Sequence, residues 1–363
     1  MKLILNTKII FILTFIQINL CNISISYIST IGKCGIAVCT KHIVDELNNL
    51  GHQASIIDSL KPAQNIIDEL SKNKPEIINL QFSAGTMRMD IMEVVDWAKQ
   101  QNIKIVVMVH ENFFWLPQLI EKADKVILFN DQIMENNDKY VLIPMAIPSF
   151  DNLYSKSNLR KKYGYKDSDI IISTFGFMIG WKRHDIIIEN LKTYMDKDPK
   201  IKLQFLTAMP GRIDLSKEKN RIKKAIEKSG HKKNITHLTN FLTEQEVNER
   251  LAMSDVGFLW GLNDYARKIL GDKPNTTSAS DKQFVSARLP LVAVDCPHYH
   301  NCNLGVIKTD ENMKNFISTI IKVSKNKELL AKLRNEMEVK YQDNCIKSLI
   351  KKHIETFEEI LNK

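Results

Sequence analysis

Two series of short apolar runs, each alternating with amphipathic segments, constrain the fold of this chain more than any other feature. Continuous β-branched runs are typical of strands that are buried on both faces of a parallel sheet. In the first series, the runs predict strands over residues 23–29, 53–57, 77–81, 103–109, 125–129 and 140–143. In the second series, they predict strands over residues 170–175, 201–207, 234–238, 256–260 and 289–294. The sequence therefore predicts an α/β protein with two parallel sheets, each covered by helices on both faces.

The segments between the predicted strands carry signals for helices. Gly51 follows a helix that should end near Leu50, as expected for a glycine at a helix C-terminus. Thr243 and Glu246 have the spacing of a capping box at the start of a helix that reaches residue 253. The other predicted helices end near residue 70 or cover residues 89–100, 182–195, 215–229 and the chain from about 311 onward.

A break between the two series predicts the domain organisation. Pro144, Pro148 and the polar stretch that follows them indicate a linker. A chain of 363 residues also fits two domains better than one. We expect an apolar extension, an N-terminal domain, a linker, a C-terminal domain and a last helix, over residues 1–22, 23–148, 149–158, 159–345 and 346–363. A cleft should lie between the carboxyl ends of the two sheets, where open α/β sheets bind ligands.

The first residues and the cysteines bear on the location of the protein. Lys2 and Lys8 precede an apolar run over residues 9–20, which is shorter than the roughly 20 residues that a membrane helix needs. A peripheral membrane anchor and a buried segment both stay open as interpretations. No small-residue cleavage site precedes Ile23, which argues against export. Six cysteines without paired spacing indicate reduced thiols, so we expect a cytoplasmic location, either free or at the membrane surface.

The net charge of +9 is unevenly distributed. Residues 1–150 carry 13 Lys+Arg against 15 Asp+Glu, whereas residues 151–363 carry 38 against 27. A basic second half suggests an anionic partner such as a nucleotide, although many of these lysines could simply be solvated on helix faces. The basic residues are scattered among helices without an aromatic-lined stripe, so the sequence does not favour nucleic-acid binding.

Two motifs are predicted at the mouth of the first sheet. Gly32 and Gly35 lie between the first strand and the first helix, where glycines let the backbone approach a ligand or simply make a tight turn. His110 and Glu111 follow the strand 103–109, so their side chains are predicted to enter the cleft. A histidine there could hydrogen-bond a sugar, position an acceptor or bridge loop backbone.

The strongest local signal is predicted at the mouth of the second sheet. Gly176 ends a strand, and Lys182 with Arg183 opens the next predicted helix. Because cations face the positive end of the helix dipole at that position, a bound anion such as a diphosphate would compensate them. Further on, the small residues 278–280 begin another predicted helix, where hydroxyls and free N–H groups could hold phosphate or simply cap the helix.

One other cluster draws attention as a metal candidate. Residues 296–302 contain two cysteines and two histidines within seven positions. Their spacing lacks the C-x-x-C geometry that a tetrahedral zinc site takes from one loop. We therefore predict no metal site.

With these motifs in place, the chain resembles the retaining GT-B-fold glycosyltransferases of family 4, also called group 1, over residues 23–360. The match depends on residues 32–37 (GKCGIA), 109–111 (VHE), 175–182 (FGF with WK) and 286–293 (SARLPLVA). The resemblance implies two Rossmann-like domains, with an acceptor in the first and a nucleoside-diphosphate sugar in the second. It implies no metal or other cofactor, and an acceptor that is a glycan, a lipid or another hydroxyl compound.

The resemblance also assigns residues. It implies catalytic roles for His110 and Lys182. From their positions in the sequence, we also expect Arg183, beside Lys182, to take part in catalysis and Glu111 to bind the acceptor. Its donor-binding positions fall on Gly35, Gly176, Asn275, Ser278, Ala279, Ser280 and Gln283. Asn275 and Gln283 stand where the family usually has a pair of glutamates, and Phe177 stands where many members have an arginine. Two alternatives therefore stay open: a catalytically degenerate GT-B protein that binds a nucleotide or a partner, and a nucleotide-sugar epimerase with the same fold.

Overall fold

The computed structural model describes residues 22–83, 85–110, 117–129, 137–150, 155–208, 214–261, 279–296, 299 and 303–362. Glu111, Asn275 and Ser278, which the sequence marks as site residues, lie outside these ranges, as does most of the segment 296–302. No helix in the described ranges has the length and apolar content to cross a membrane. The four described cysteines, Cys34, Cys39, Cys296 and Cys345, form no disulfide bonds in the described part of the chain.

The first domain contains a six-stranded sheet in which every strand pairs in parallel, in the order β2-β1-β3-β4-β5-β6. Its strands are β1 (Ser24–Ser29), β2 (Gln53–Asp58), β3 (Ile77–Phe82), β4 (Lys104–Val109), β5 (Lys125–Leu128) and β6 (Tyr140–Leu142). Its helices are α1 (Gly35–Asn49), α2 (Ala63–Lys72), α3 (Ile91–Gln100) and α4 (Pro117–Lys122). The inner strands β1, β3, β4 and β5 are almost wholly buried because helices pack on both faces of the sheet, whereas the edge strands β2 and β6 are partly exposed.

The second domain repeats this arrangement in the order β12-β11-β10-β7-β8-β9, again with parallel pairing throughout. Its strands are β7 (Ile170–Phe177), β8 (Ile201–Ala208), β9 (Ile235–Leu238), β10 (Val256–Leu259), β11 (Leu291–Val294) and β12 (Val306–Thr309). Its helices are α5 (Lys156–Lys162), α6 (His184–Lys197), α7 (Ser216–Ser229), α8 (Glu244–Ala252), α9 (Ala279–Ser286), α10 (Met313–Lys325) and α11 (Lys327–Asn344). The predicted class, α/β with two parallel sheets, is confirmed.

The chain crosses between the domains twice, and the two crossings are hydrogen-bonded to each other. Ile147 N donates to Asn344 O at 2.9 Å, and Ile346 N donates to Ile147 O at 3.1 Å. The last helix, α12 (Ile346–Leu361), returns to the first domain, where its Phe357 packs in one core cluster with Tyr27. The C-terminal helix therefore belongs to the core of the first domain.

Three local features differ from the sequence-based expectations. The helix expected to begin at Lys182 begins at His184, since Gly180–Lys182 forms a 3₁₀ turn and Arg183 has a φ of 50°. Strand β12 was missed because it is short and only half buried, so it lacks a continuous apolar run. Helix α5 begins at Lys156, inside the segment predicted as a linker.

Candidate functional site

A cavity of about 360 Å³ lies between the two domains. The first domain lines it with the start of α1 and the segment that follows β6. The second domain lines it with residues at or just after the ends of β7, β8 and β9, and with the first turns of α9. These are carboxyl ends of parallel strands, where open α/β sheets place their ligands. The volume lies within the usual range for small-molecule sites.

Lys182, Gly176 and Ser280 meet in the wall of this cavity. A Cβ added to Gly176 would lie 2.6 Å from Lys182 Nζ and 2.5 Å from Ser280 Oγ. Gly176 also has a φ of +126°, which side chains rarely tolerate. Glycine is thus required on both counts, and its missing side chain lets a lysine amine and a serine hydroxyl approach each other. The sequence predicted that these three residues share one site, and the structure brings them together.

The Lys182 amine is a buried cation without a carboxylate partner in the described part of the chain. Lys182 is 5% exposed, and this burial lowers the pKa of its amine to about 8. Burial also lowers the pKa of His184, two residues on, and the nearby charge of Lys182 makes a smaller contribution in the same direction. At neutral pH the lysine therefore remains mostly charged, and its neighbour His184 is neutral. A desolvated cation in a cavity wall is suited to bind an anion.

The N-terminal part of α9 adds hydrogen-bonding groups next to Lys182. Ala279 and Ser280 begin the described helix and line the cavity. A Cβ added to Gly35 would lie 2.8 Å from Ala279 Cβ, so the glycine loop of the first domain contacts this helix directly. Gln283, one turn further, lines the cavity, and its buried Oε1 has no hydrogen-bond partner among the residues that the structure describes. An amide oxygen in that state can accept a hydrogen bond from a ligand hydroxyl.

Two of the residues that the sequence assigned to the site lie elsewhere. Arg183 is exposed and is absent from the cavity wall, because its positive φ ends the 3₁₀ turn and directs the chain into α6. His110 is buried at the end of β4, where its Nε2 lies 2.8 Å from Gln81 Oε1, and it does not line the cavity either. Their proposed contacts with a substrate stay predictions.

The sequence analysis missed several cavity residues, and the most informative are His42 and Glu244. His42 Nε2 on α1 lies 2.9 Å from Glu244 Oε2 at the start of α8, so this pair joins the two domains across the cavity. Phe241, in the preceding loop, lies under the Lys33 amine of the first domain at 5.8 Å. The capping box at Thr243 located the start of α8, but nothing in the sequence linked α8 to α1.

We expect the His42–Glu244 pair to stabilise the closed arrangement of the domains modestly. Both side chains are partly exposed, at 22% and 34%, so a double-mutant cycle with His42→Ala and Glu244→Ala should give a coupling of about 0.5–1 kcal/mol in urea unfolding. The exposed pair Lys41–Asp45 on the same helix is the matched control and should give no more than about 0.5 kcal/mol. Additive effects at His42 and Glu244 would show that the pair does not form in solution.

No metal centre is visible in the ranges that the structure describes: no group of three or more His, Cys, Asp or Glu residues there is arranged to hold an ion. The buried Lys182 amine favours an anion at its place in the cavity wall.

Comparisons with known proteins establish the fold. No family model and no curated protein matches the sequence. Among solved structures, a glycosyltransferase from Rickettsia africae is similar over 94% of this chain and 99% of its own, with a TM-score of 0.73 and 16% identity. HepE from Anabaena, solved with UDP and glucose, covers 93% and 99% with a TM-score of 0.67 and 11% identity. Sucrose-phosphate synthase from Thermosynechococcus elongatus also covers 93% and 99%, with a TM-score of 0.69 and 11% identity.

These neighbours share two facing parallel-sheet domains with this chain over nearly its whole length. The chain therefore has the GT-B fold that its sequence motifs predicted.

Proposed function

We propose that this chain is a glycosyltransferase that moves a sugar from a nucleoside-diphosphate sugar to a hydroxyl of a glycan, a lipid or another acceptor. The observation that carries the proposal is the buried Lys182 amine, which shares the interdomain cavity with Ser280 and the N-terminal part of α9. This combination suits a leaving diphosphate. The neighbours of the same fold include HepE with UDP-glucose and trehalose-6-phosphate synthase, which supports a nucleotide-sugar donor.

The proposed chemistry needs charge stabilisation more than it needs an acid or a base. When the bond between the sugar carbon and the β-phosphate oxygen breaks, negative charge develops on the diphosphate. Lys182 and donors near the start of α9 would stabilise that charge, which is an effect that typically accounts for a large share of catalysis. The acceptor oxygen then forms the new bond to the sugar carbon, and its proton leaves with the departing phosphate. A metal ion is not part of this proposal.

Closure of the domains would support transfer over hydrolysis. Contacts across the cavity at Gly35–Ala279 and His42–Glu244 hold the two domains together around it. Exclusion of water from such a site strengthens its electrostatic interactions and protects the activated sugar. Gln283, which stands where the resembling family usually has a glutamate, would accept a hydrogen bond from a hydroxyl of the nucleotide sugar.

A panel of UDP-, GDP-, ADP- and dTDP-sugars tests the proposal in two stages. The true donor should raise the melting temperature, because a ligand at 100 times its Kd stabilises the folded state by about 2.7 kcal/mol. The same donor should then release its nucleoside diphosphate only when an acceptor is present, and NMR of the product should show a retained anomeric configuration. Donor binding without transfer to any acceptor would favour the degenerate alternative, and conversion of the donor alone would favour the epimerase.

The pKa of Lys182 predicts how donor binding depends on pH. Its amine is charged below about pH 8 and neutral above it, so loss of the cation should weaken binding of a nucleoside diphosphate as pH rises. We expect Kd, measured by calorimetry between pH 7 and 9.5, to increase by up to about tenfold per pH unit above the pKa. Lys182→Arg is the control, because a guanidinium stays charged throughout this range and its Kd should stay flat. A wild-type Kd that does not change with pH would exclude Lys182 from the phosphate site.

A further inference from the structure

A chain of three buried polar side chains lies under the mouth of the first sheet. His110 Nε2 lies 2.8 Å from Gln81 Oε1, and Gln81 Nε2 donates to Asn79 Oδ1 at 2.6 Å. Asn79 and Gln81 are fully buried in β3, and His110 follows β4, the next strand in the sheet. Burying polar groups costs free energy, whereas leucines in the same strands would not. Stability alone therefore does not explain why these three hydrogen-bonded side chains are buried here.

His110 lies at the edge of the sheet that carries the cavity. The carboxyl ends of β1 and β6 lead into Gly35 and Met145, which line the cavity, and His110 follows the carboxyl end of β4 between them. Its ring packs edge-on against Phe129 at 4.9 Å between centroids. The ring is therefore held on one side by Phe129 and on the other by Gln81.

We propose that Gln81 is a positioning residue that fixes the tautomer of His110, so that the ring carries its proton on Nε2 and offers Nδ1 as a hydrogen-bond acceptor. The Gln81 amide nitrogen donates to Asn79, which turns the amide oxygen toward His110. An amide oxygen only accepts, so the hydrogen on that bond must come from His110 Nε2. The neutral ring then has a lone pair on Nδ1, which is buried and has no partner in the described part of the chain.

The neutral state of the ring follows from its surroundings. Burial lowers the pKa of His110 to about 3, so the imidazole stays uncharged at any pH at which the protein would work. A neutral Nδ1 acceptor suits a sugar or acceptor hydroxyl and cannot donate to an oxygen that only accepts. The inference rests on the proposed function and deepens it, since a neutral His110 would accept a hydrogen bond from a substrate hydroxyl that reaches Nδ1 and would not act as a charged acid.

The reversed orientation of both amides gives the competing arrangement. If the Gln81 amide nitrogen faced His110, the ring would carry its proton on Nδ1 and would donate a hydrogen bond from there. Asn79 Nδ2, which has no partner among the described residues, would then donate to Gln81. The two arrangements predict opposite protonation of the same ring, so one measurement separates them.

Long-range ¹H–¹⁵N correlation NMR of protein with ¹⁵N-labelled histidine provides that measurement, with His110 assigned through His110→Gln. We expect a single Nε2-protonated tautomer between pH 6 and 8. A ring protonated on Nδ1 or on both nitrogens overturns the proposal. This measurement needs no substrate, so it tests the positioning of His110 separately from the proposed glycosyltransferase function. If the protein transferred no sugar but its His110 were fixed as the Nε2–H tautomer, the proposed function would be wrong and the positioning by Gln81 would stand.

Gln81→Leu tests whether the glutamine sets the tautomer. Without the acceptor at Nε2, we expect His110 to become a mixture of tautomers and kcat/KM for sugar transfer to fall by about 10- to 100-fold, as for the loss of one positioning group. The matched control is Gln204→Leu, which removes a fully buried glutamine from the second sheet, where it bonds Ser173 Oγ at 3.1 Å.

The control should lose similar stability but leave the His110 spectrum and the activity of the folded fraction unchanged. An unchanged His110 tautomer in Gln81→Leu, or equal losses of activity in the two variants, would show that Gln81 is merely structural. If Gln81→Leu does not fold, the wild-type spectrum still decides the tautomer.

Discussion

Lys182→Met is expected to lower kcat/KM by about 100- to 1000-fold while it makes the free protein more stable at pH 7. The loss of activity follows from removing the buried cation that is proposed to stabilise the leaving diphosphate. The gain in stability follows from the same burial, which lowers the pKa of the Lys182 amine to about 8. A shift of this size corresponds to up to about 3 kcal/mol that the folded state loses by keeping the lysine charged. Methionine fills a similar volume without that charge.

The pH dependence of stability gives a second signature of Lys182. The pKa is lower in the folded state, so between about pH 8 and the usual value of 10.5 the unfolded chain binds more protons than the folded one. The contribution of Lys182 to the free energy of unfolding therefore rises with pH across this window. Lys182→Met should lack that rise, and urea unfolding of both proteins at pH 7, 8 and 9 measures the difference.

Lys156 provides the matched control for this prediction. Burial also lowers the pKa of its amine to about 8, but Lys156 Nζ bonds Asp255 Oδ1 at 2.7 Å and does not line the cavity. Lys156→Met should therefore leave kcat/KM unchanged. A Lys182→Met variant that keeps kcat/KM within threefold of wild type, or that is less stable than wild type at pH 7, would remove Lys182 from the proposed mechanism.

Much of the fold could be predicted from the sequence because β-branched runs mark buried parallel strands, and here they do so in both domains. The meeting of Lys182 with Ser280 could be anticipated for the same reason, since each follows a strand of one sheet. The backbone conformation at individual residues could not be predicted from the sequence. Arg183 follows a glycine loop and looks like the start of a helix, yet its φ of 50° turns it outward.

Contacts between the two domains also could not be predicted from the sequence. His42 and Glu244 are 202 residues apart on helices of different domains, and each looks like an ordinary surface residue in its own helix. The Gln81–His110 bond joins adjacent strands, but the sequence marks only the histidine because it ends a strong apolar run. No sequence pattern tells whether a buried glutamine inside such a run has a structural or a positioning role. The atoms that the glutamine contacts in the structure are needed to distinguish the two roles.

Asp255→Ala is expected to lower the free energy of unfolding by about 3–5 kcal/mol, because it would leave the buried Arg160 guanidinium without its partner. Asp255 Oδ2 accepts hydrogen bonds from Arg160 Nη2 at 2.7 Å and from Ile171 N at 2.8 Å, and its Oδ1 accepts from Lys156. Arg160 is only 5% exposed. The carboxylate thus joins α5, β7 and the start of β10, which are the elements that begin the second domain.

Asp196→Ala isolates the effect of burial in this comparison. Asp196 also has two side-chain partners, Lys192 and His231, each at 2.7 Å, but its own side chain is 46% exposed. Water can solvate both partners when the carboxylate is removed, so the loss should stay below about 1 kcal/mol. Equal losses at Asp255 and Asp196 would mean that water reaches Arg160 in solution. A large difference would show that a dry ion pair between Asp255 and Arg160 fixes α5 to the second sheet.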